Sequence, residues 1–208
     1  MTKPDPPQPA DREGTLRSRS FVGLVLTQFL GTFNDNMLRW LVVPIGQQIP
    51  NLGEAGSLAL GGICFTVPYL LLAPAAGSLA DRHSKRDVIV GCKVAELAIM
   101  LLGIATILTG NIWSLFAIVM LMGAQSALFS PAKFGSLPEM LDLHHLSKGN
   151  GVMGLATVVS SALGTVAGYG LYSLTQPDIA KGVTMATFWP AAMGTPLTSV
   201  SVVAVRRK

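Results

Sequence analysis

The chain has 208 residues, a mean hydropathy of +0.51 and only 12% charged residues. Those values describe a polytopic membrane protein and exclude an ordinary soluble domain. The formal net charge of +4 does not indicate nucleic acid, because the cations cluster in short segments beside apolar runs, where they report topology.

Residues Met1–Ser20 are rich in proline and charge and nearly devoid of apolar side chains, the composition of a disordered cytoplasmic tail. The apolar run that follows is too long for a cleavable signal, so Phe21–Gly46 is expected to be a first, uncleaved span. Gln47–Ala55 has turn composition without a cation, as an external loop should. Gly56–Ala80 forms a second span containing Pro68 and Pro74, and Val88–Leu108 a third. Gly110-Asn111 turns outside, and Ile112–Ser130 is a fourth span stopped by Pro131. Ala132–Lys148 reads as a polar cytoplasmic loop with a short surface helix, and Asn150–Leu174 as the fifth span. Gln176-Pro-Asp178 turns outside. Val183–Val205, with Pro190 and Pro196, is a weaker sixth span before a cytoplasmic end at Arg206–Lys208. The expected fold class is thus an all-α integral membrane protein with five clear spans and a weak sixth.

With the N-terminus inside, twelve of the fifteen Lys and Arg residues fall in cytoplasmic segments. Only Lys181 is external, while Arg39 and Lys93 are intramembrane. The asymmetry places both termini and the hairpin loop around Arg82–Arg86 in the cytoplasm. The two cysteines, Cys64 and Cys92, lie at different depths and read as packing residues. No metal spacing or cofactor motif occurs, and His144-His145 lacks a third ligand. No nucleophile–base pair, nucleotide loop or His-x4-Asp motif supports catalysis.

Charge inside the membrane is costly and marks candidate sites. The first span carries Asn34, Asp35, Asn36 and, one turn on, Arg39. Asp35 and Arg39 share a helix face and are expected to pair, either in a substrate pathway or as a lock within the bundle. Lys93 and Glu96 form a second i,i+3 pair, counted as nearer the cytoplasmic end than Asp35 and read as a structural tether. Gly164 and Gly168 give the fifth span a small-residue face for close packing.

Gly77-Ser-Leu-Ala-Asp-Arg-His-Ser-Lys-Arg86 resembles the loop between helices 2 and 3 of the major facilitator superfamily. The resemblance implies that Gly77 admits a neighbouring helix, that Asp81 ties the loop to a helix terminus, and that Arg82, Lys85 and Arg86 bind across the cytoplasmic face. Ser84 departs from the usual glycine. Four further stretches narrow the likeness: Gln28–Asn36, Cys92–Glu96, Met122–Ala127 with Gln125, and Ser130-Pro-Ala-Lys-Phe-Gly-Ser-Leu-Pro-Glu139 with Pro131 and Lys133 at the expected end of the fourth helix. With Gly149–Val152 they are similar to the lysophospholipid transporter branch, a module also found fused to acyl-carrier-protein synthetase and acyltransferase domains. The Gly-Pro signature of drug–proton antiporters is missing.

The likeness implies the N-terminal six-helix half of the fold, with a lysophospholipid or other amphipathic substrate, in the inner membrane. A fragment, or a half that needs its C-terminal half or an acyltransferase partner, is the corresponding expectation. The alternatives are a non-transporting module that anchors an acyltransferase and a small-solute or drug carrier.

Overall fold

A computed structural model describes residues 15–109 and 111–175. The expected sixth span, the loop before it and most of the N-terminal tail lie outside the described residues. Within them the chain is all-helical: α1 (Arg19–Ile45), a 3-10 turn (Gly46–Gln48), α2 (Gly53–Arg82), α3 (Lys85–Thr109), α4 (Ile112–Met140) and α5 (Leu143–Thr175). Three of these helices, α2, α4 and α5, are long and apolar enough to cross a membrane. The polar stretches of α1 and α3 interrupt any comparable apolar run.

The helix boundaries follow local chemistry. Ser18 starts α1 by accepting a hydrogen bond from the Phe21 amide at 3.3 Å, and Asn111 starts α4 by accepting from Trp113 N at 3.0 Å. At the α2–α3 hairpin, Ser84 accepts from Asp87 N at 3.1 Å. The residue that departs from the family's glycine thus serves as a side-chain cap for α3.

Two expectations are corrected. Pro131 does not stop α4, which continues through Pro131 and Pro138 to Met140. A proline removes one backbone donor, but a helix held on several sides by neighbours absorbs that loss. In turn, α5 begins at Leu143, seven residues before the expected span. The stretch read as a loop over 132–148 is therefore mostly the end of one helix and the start of the next, joined by a two-residue link.

The bundle is organised by α1 and α4. Helix α1 lies along α5, while α2 and α3 both lie along α4. Gly164 and Gly168 bring α5 onto the α1 backbone at Phe33 and Met37, where an added Cβ would collide with carbonyl groups. Where packing substitutes for the hydrophobic effect, such close seams hold helices together.

Two apolar blocks result. One gathers Leu38, Leu41, Ile45, Met100, Phe116 and Met122 toward the end that carries the 3-10 turn. The other gathers Phe21, Leu24, Ile89, Phe129, Leu137 and Met153 toward the α2–α3 hairpin. A polar layer lies between them.

Candidate functional site: a charged cavity in the polar layer

The polar layer holds a partly open cavity of about 320 Å³ with walls from all five helices. Helix α1 supplies a continuous stripe: Gln28, Gly31, Thr32, Asp35, Asn36 and Arg39. These positions are spaced three, four and seven residues apart, so a single helix face carries them. Helix α4 supplies a second stripe of Gln125, Ser126, Phe129, Ser130 and Lys133. That stripe has the same period and runs past Pro131 because the helix does. Helix α3 contributes Lys93 and Glu96, α2 contributes Phe65 and Tyr69, and α5 contributes Thr157 and Ser161.

Asp35 accepts a hydrogen bond from Ser126 Oγ on α4 at 2.5 Å through Oδ2. Its other oxygen, Oδ1, is buried with no hydrogen-bond partner among the described residues. The expected pairing of Asp35 with Arg39 does not form. Arg39 Nη2 donates instead to Asn36 Oδ1 at 3.0 Å, and its guanidinium lies 5.2 Å from the Phe65 ring centroid and 5.8 Å from that of Trp40. Ser126 on the facing helix offers the carboxylate a closer donor, and the two rings hold the guanidinium aside.

Lys133, expected near a loop, is a buried residue of the cavity wall. Its ammonium donates to Gln28 Oε1 at 3.0 Å and lies 4.5 Å from the Phe134 ring centroid and 5.7 Å from that of Phe129. Gln28 spends its amide donors on Thr32 Oγ1 at 2.8 Å and Thr157 Oγ1 at 2.9 Å. One glutamine therefore ties α1, α4 and α5 together at the level of the cavity.

The Lys93–Glu96 pair forms as expected, at 2.5 Å. The structure corrects the reading that it lies apart from Asp35. Gln125 Nε2 donates to Cys92 O at 3.0 Å and approaches Glu96 Oε2 at 3.4 Å, and its neighbour Ser126 holds Asp35. Counting rise along the axis puts Glu96 roughly five residues, or about 7.5 Å, short of Asp35. The long side chains of Lys93, Glu96 and Gln125 close that gap.

Not every expected site residue joins the cavity. Asn34 is buried on another face of α1, with Nδ2 3.5 Å from Met100 Sδ. Near the end of α2, a Cβ at Gly77 would meet nothing within 4 Å, so no helix among the described residues approaches it. Asp81 is exposed and its side chain has no hydrogen bond or ion pair among the described residues, which leaves its implied tie to a helix terminus without a partner there. Lys85 does reach across, forming an ion pair with Glu139 of α4. Arg82 and Arg86 show no comparable link among the described residues.

Residues that the sequence reading passed over include Gln28, Thr32, Ser126 and Thr157. Their signal was available: each of the first three lies in a helical stripe with a charged residue already singled out.

The Major Facilitator Superfamily profile matches residues 24–205, most of the chain. The chain belongs to that superfamily. It is similar to proteins named lysophospholipid transporter LplT from several bacteria. Identity to that of Cronobacter sakazakii is 33% over 162 residues, covering 78% of this chain and 39% of the relative. For Serratia proteamaculans it is 31% over 167 residues, 79% of this chain and 39% of the relative. For Yersinia pestis (strain Pestoides F) it is 32% over 156 residues, 74% and 36%. The chain thus spans about two-fifths of the length of these relatives. Superfamily membership and the apolar helices together make it a multi-pass membrane protein of a transporter family.

Proposed function

We propose that the chain is the N-terminal half of a carrier that moves lysophospholipid across the cytoplasmic membrane by alternating access. Its N-terminus and the α2–α3 hairpin face the cytoplasm. The observation that carries the reading is the cavity itself, a site with polar groups and both charge signs set between two apolar blocks. A lysophospholipid presents a phosphate, often an ammonium, and one acyl chain. Arg39 and Lys133 are cations for the phosphate, and the partnerless Oδ1 of Asp35 is an acceptor for an ammonium or hydroxyl. The similarity to lysophospholipid transporters supports the same substrate class. Asn36 and Gln28 orient the charged groups, and the hairpin, with Gly77, Asp81, Arg82, Lys85 and Arg86, serves the conformational change.

Uptake of labelled lysophosphatidylethanolamine by vesicles containing the complete protein tests this. Asp35→Asn should abolish uptake while folded protein still accumulates, since intramembrane charge retained at such cost is used in the pathway. Full uptake by well-folded Asp35→Asn protein would overturn the headgroup site. For orientation, in a cysteine-free background, a cysteine at Ser84 should resist impermeant labelling of intact cells and one at Glu54 should react.

A second reading has one observation in its favour. A cavity of about 320 Å³ with charges of both signs also accommodates a small zwitterionic solute. Competition by glycerophosphoethanolamine as strong as by its acylated form would favour that solute.

A further inference from the structure

The Lys93–Glu96 pair is held from three sides. The Lys93 ammonium rests over Gly31 of α1, where an added Cβ would lie 2.7 Å from Nζ, and its distance to the Phe129 ring centroid on α4 is 4.7 Å. Glu96 is 2.5 Å from that ammonium and is approached by the Gln125 amide at 3.4 Å. Both side chains are largely buried, at 9% and 14% exposure, yet both line the cavity. A tether needs no such position. A pair placed here also sets how many cations the cavity offers to a ligand.

The cavity carries three cations, Arg39, Lys93 and Lys133, against two carboxylates, Asp35 and Glu96. Glu96 is the counter-ion that fixes Lys93. Removing it would add one unpaired positive charge, with no loss of the donors that already face the ligand. In a site of low effective dielectric, a residual charge after binding is expensive, so the charge of the wall selects the charge of the ligand.

We propose that Glu96 is a specificity-determining residue that, by neutralising Lys93, tunes the cavity to singly charged phosphodiester headgroups and against doubly charged phosphomonoesters. The inference rests on the lipid-headgroup reading above, but its charge-selection step applies to any organophosphate that enters the cavity. Gly31 and Gln125 are positioning residues: one leaves room for the ammonium and the other holds the carboxylate.

The test is equilibrium binding to the complete purified protein in a non-ionic detergent. Its ligands are lysophosphatidylglycerol (a phosphodiester), lysophosphatidic acid (a phosphomonoester) and dodecyl phosphate (a monoester without glycerol). The wild type should prefer the diester. Glu96→Gln should shift the monoester-to-diester affinity ratio toward the monoester by on the order of tenfold. Glu96→Asp should keep the wild-type ratio. The double change Lys93→Met with Glu96→Gln, which removes both charges together, should keep it as well. Lys93→Met alone should move the ratio the other way, and it reads the same selection if Glu96→Gln protein fails to accumulate.

Equal changes for all three ligands in Glu96→Gln, or a double variant that behaves like Glu96→Gln, would overturn the proposal. If the wild type binds dodecyl phosphate but neither lysolipid, the lipid reading fails on its own. Glu96 is then judged by whether Glu96→Gln tightens dodecyl phosphate binding, as charge selection requires, or leaves it unchanged, which overturns it.

Discussion

Helices α1 and α2 follow each other in the chain and invert the rule learned from soluble proteins. Helix α2 is a long apolar helix, yet only five of its 30 residues are buried. The apolar run of helix α1 is interrupted by Asn34, Asp35, Asn36 and Arg39, yet fifteen of its 27 residues are buried. In water the apolar helix would be the inner one. In a bilayer the solvent is itself apolar, so exposed Leu70 and Leu71 on α2 carry no penalty, whereas a carboxylate must be surrounded by protein. Polar residues therefore mark the helix at the centre. The contrast extends to two glycine pairs: Gly164 and Gly168 of α5 are covered by the α1 backbone, while a Cβ at Gly62 or Gly77 of α2 would meet nothing within 4 Å among the described residues.

The strongest way to break this comparison is to load the same extra bulk on each side. Gly168→Val would drive a side chain into the backbone of Met37, which has no rotamer with which to yield. A loss of about 3 kcal/mol is expected, enough to prevent accumulation of folded protein. Gly62→Val on α2 should leave the bundle's stability unchanged. Thermal unfolding in detergent, followed by a thiol-reactive dye that reports exposure of buried Cys92, measures both. Equal destabilisation would mean that burial in this bundle does not follow the helix seams.

Much of this arrangement is legible in the sequence. Hydrophobic run length identified five helices, and the intramembrane charges named Asp35, Arg39, Lys93 and Glu96, four of the residues that line the cavity. What failed was the use of proline and of axial counting. Pro131 reads as a stop because its missing donor would break an isolated helix, and that reading moved Lys133 out of the membrane layer and into a loop. Nothing local to Pro131 shows that α2, α3 and α1 flank α4 there. Axial counting locates α-carbons and not the ends of lysine, glutamate and glutamine side chains, so it separated two charge clusters that line one cavity. The Asp35–Arg39 pair was permitted by spacing alone, and the competing donor, Ser126, is 91 residues away in the chain.

The next effect tests the link between α1 and α4. Ser126→Ala removes the hydroxyl that donates to Asp35 and leaves a buried carboxylate with no hydrogen bond at either oxygen. Hydrogen bonds to charged groups contribute roughly 1.5–3 kcal/mol, so a loss of about 2 kcal/mol is expected. The change should be smaller in an Asp35→Asn background, since the deleted contact is then between neutral groups. Additive losses in that double-mutant cycle would show that the two residues do not interact.

Lys133→Met should act in the opposite direction on stability. The ammonium is buried against a neutral amide and two rings, with no carboxylate among its hydrogen-bond partners. Methionine has a similar length and no charge to desolvate, so folded protein should gain about 1 kcal/mol. Binding of lysophosphatidylglycerol should fall at least tenfold in the same variant. A fall in stability together with unchanged binding would make Lys133 a structural residue only.

The smallest effect belongs to the hairpin, and its smallness is informative. Lys85 and Glu139 form an ion pair between the start of α3 and the end of α4, but their side chains are 29% and 58% exposed. A pair that wet is screened and contributes on the order of 0.5 kcal/mol. Glu139→Gln should therefore change thermal stability by less than about 1 kcal/mol, and 0.5 M salt should reduce even that difference. Asp81→Asn, with no partner among the described residues, should leave stability alone. If both variants nevertheless slow transport by the complete protein, the hairpin charges act on the balance between conformations and not on the fold of this bundle. If neither stability nor transport moves, the cations of the hairpin serve topology alone, and the asymmetry between the charged interior of α1 and the charged end of α2 is one of function against insertion.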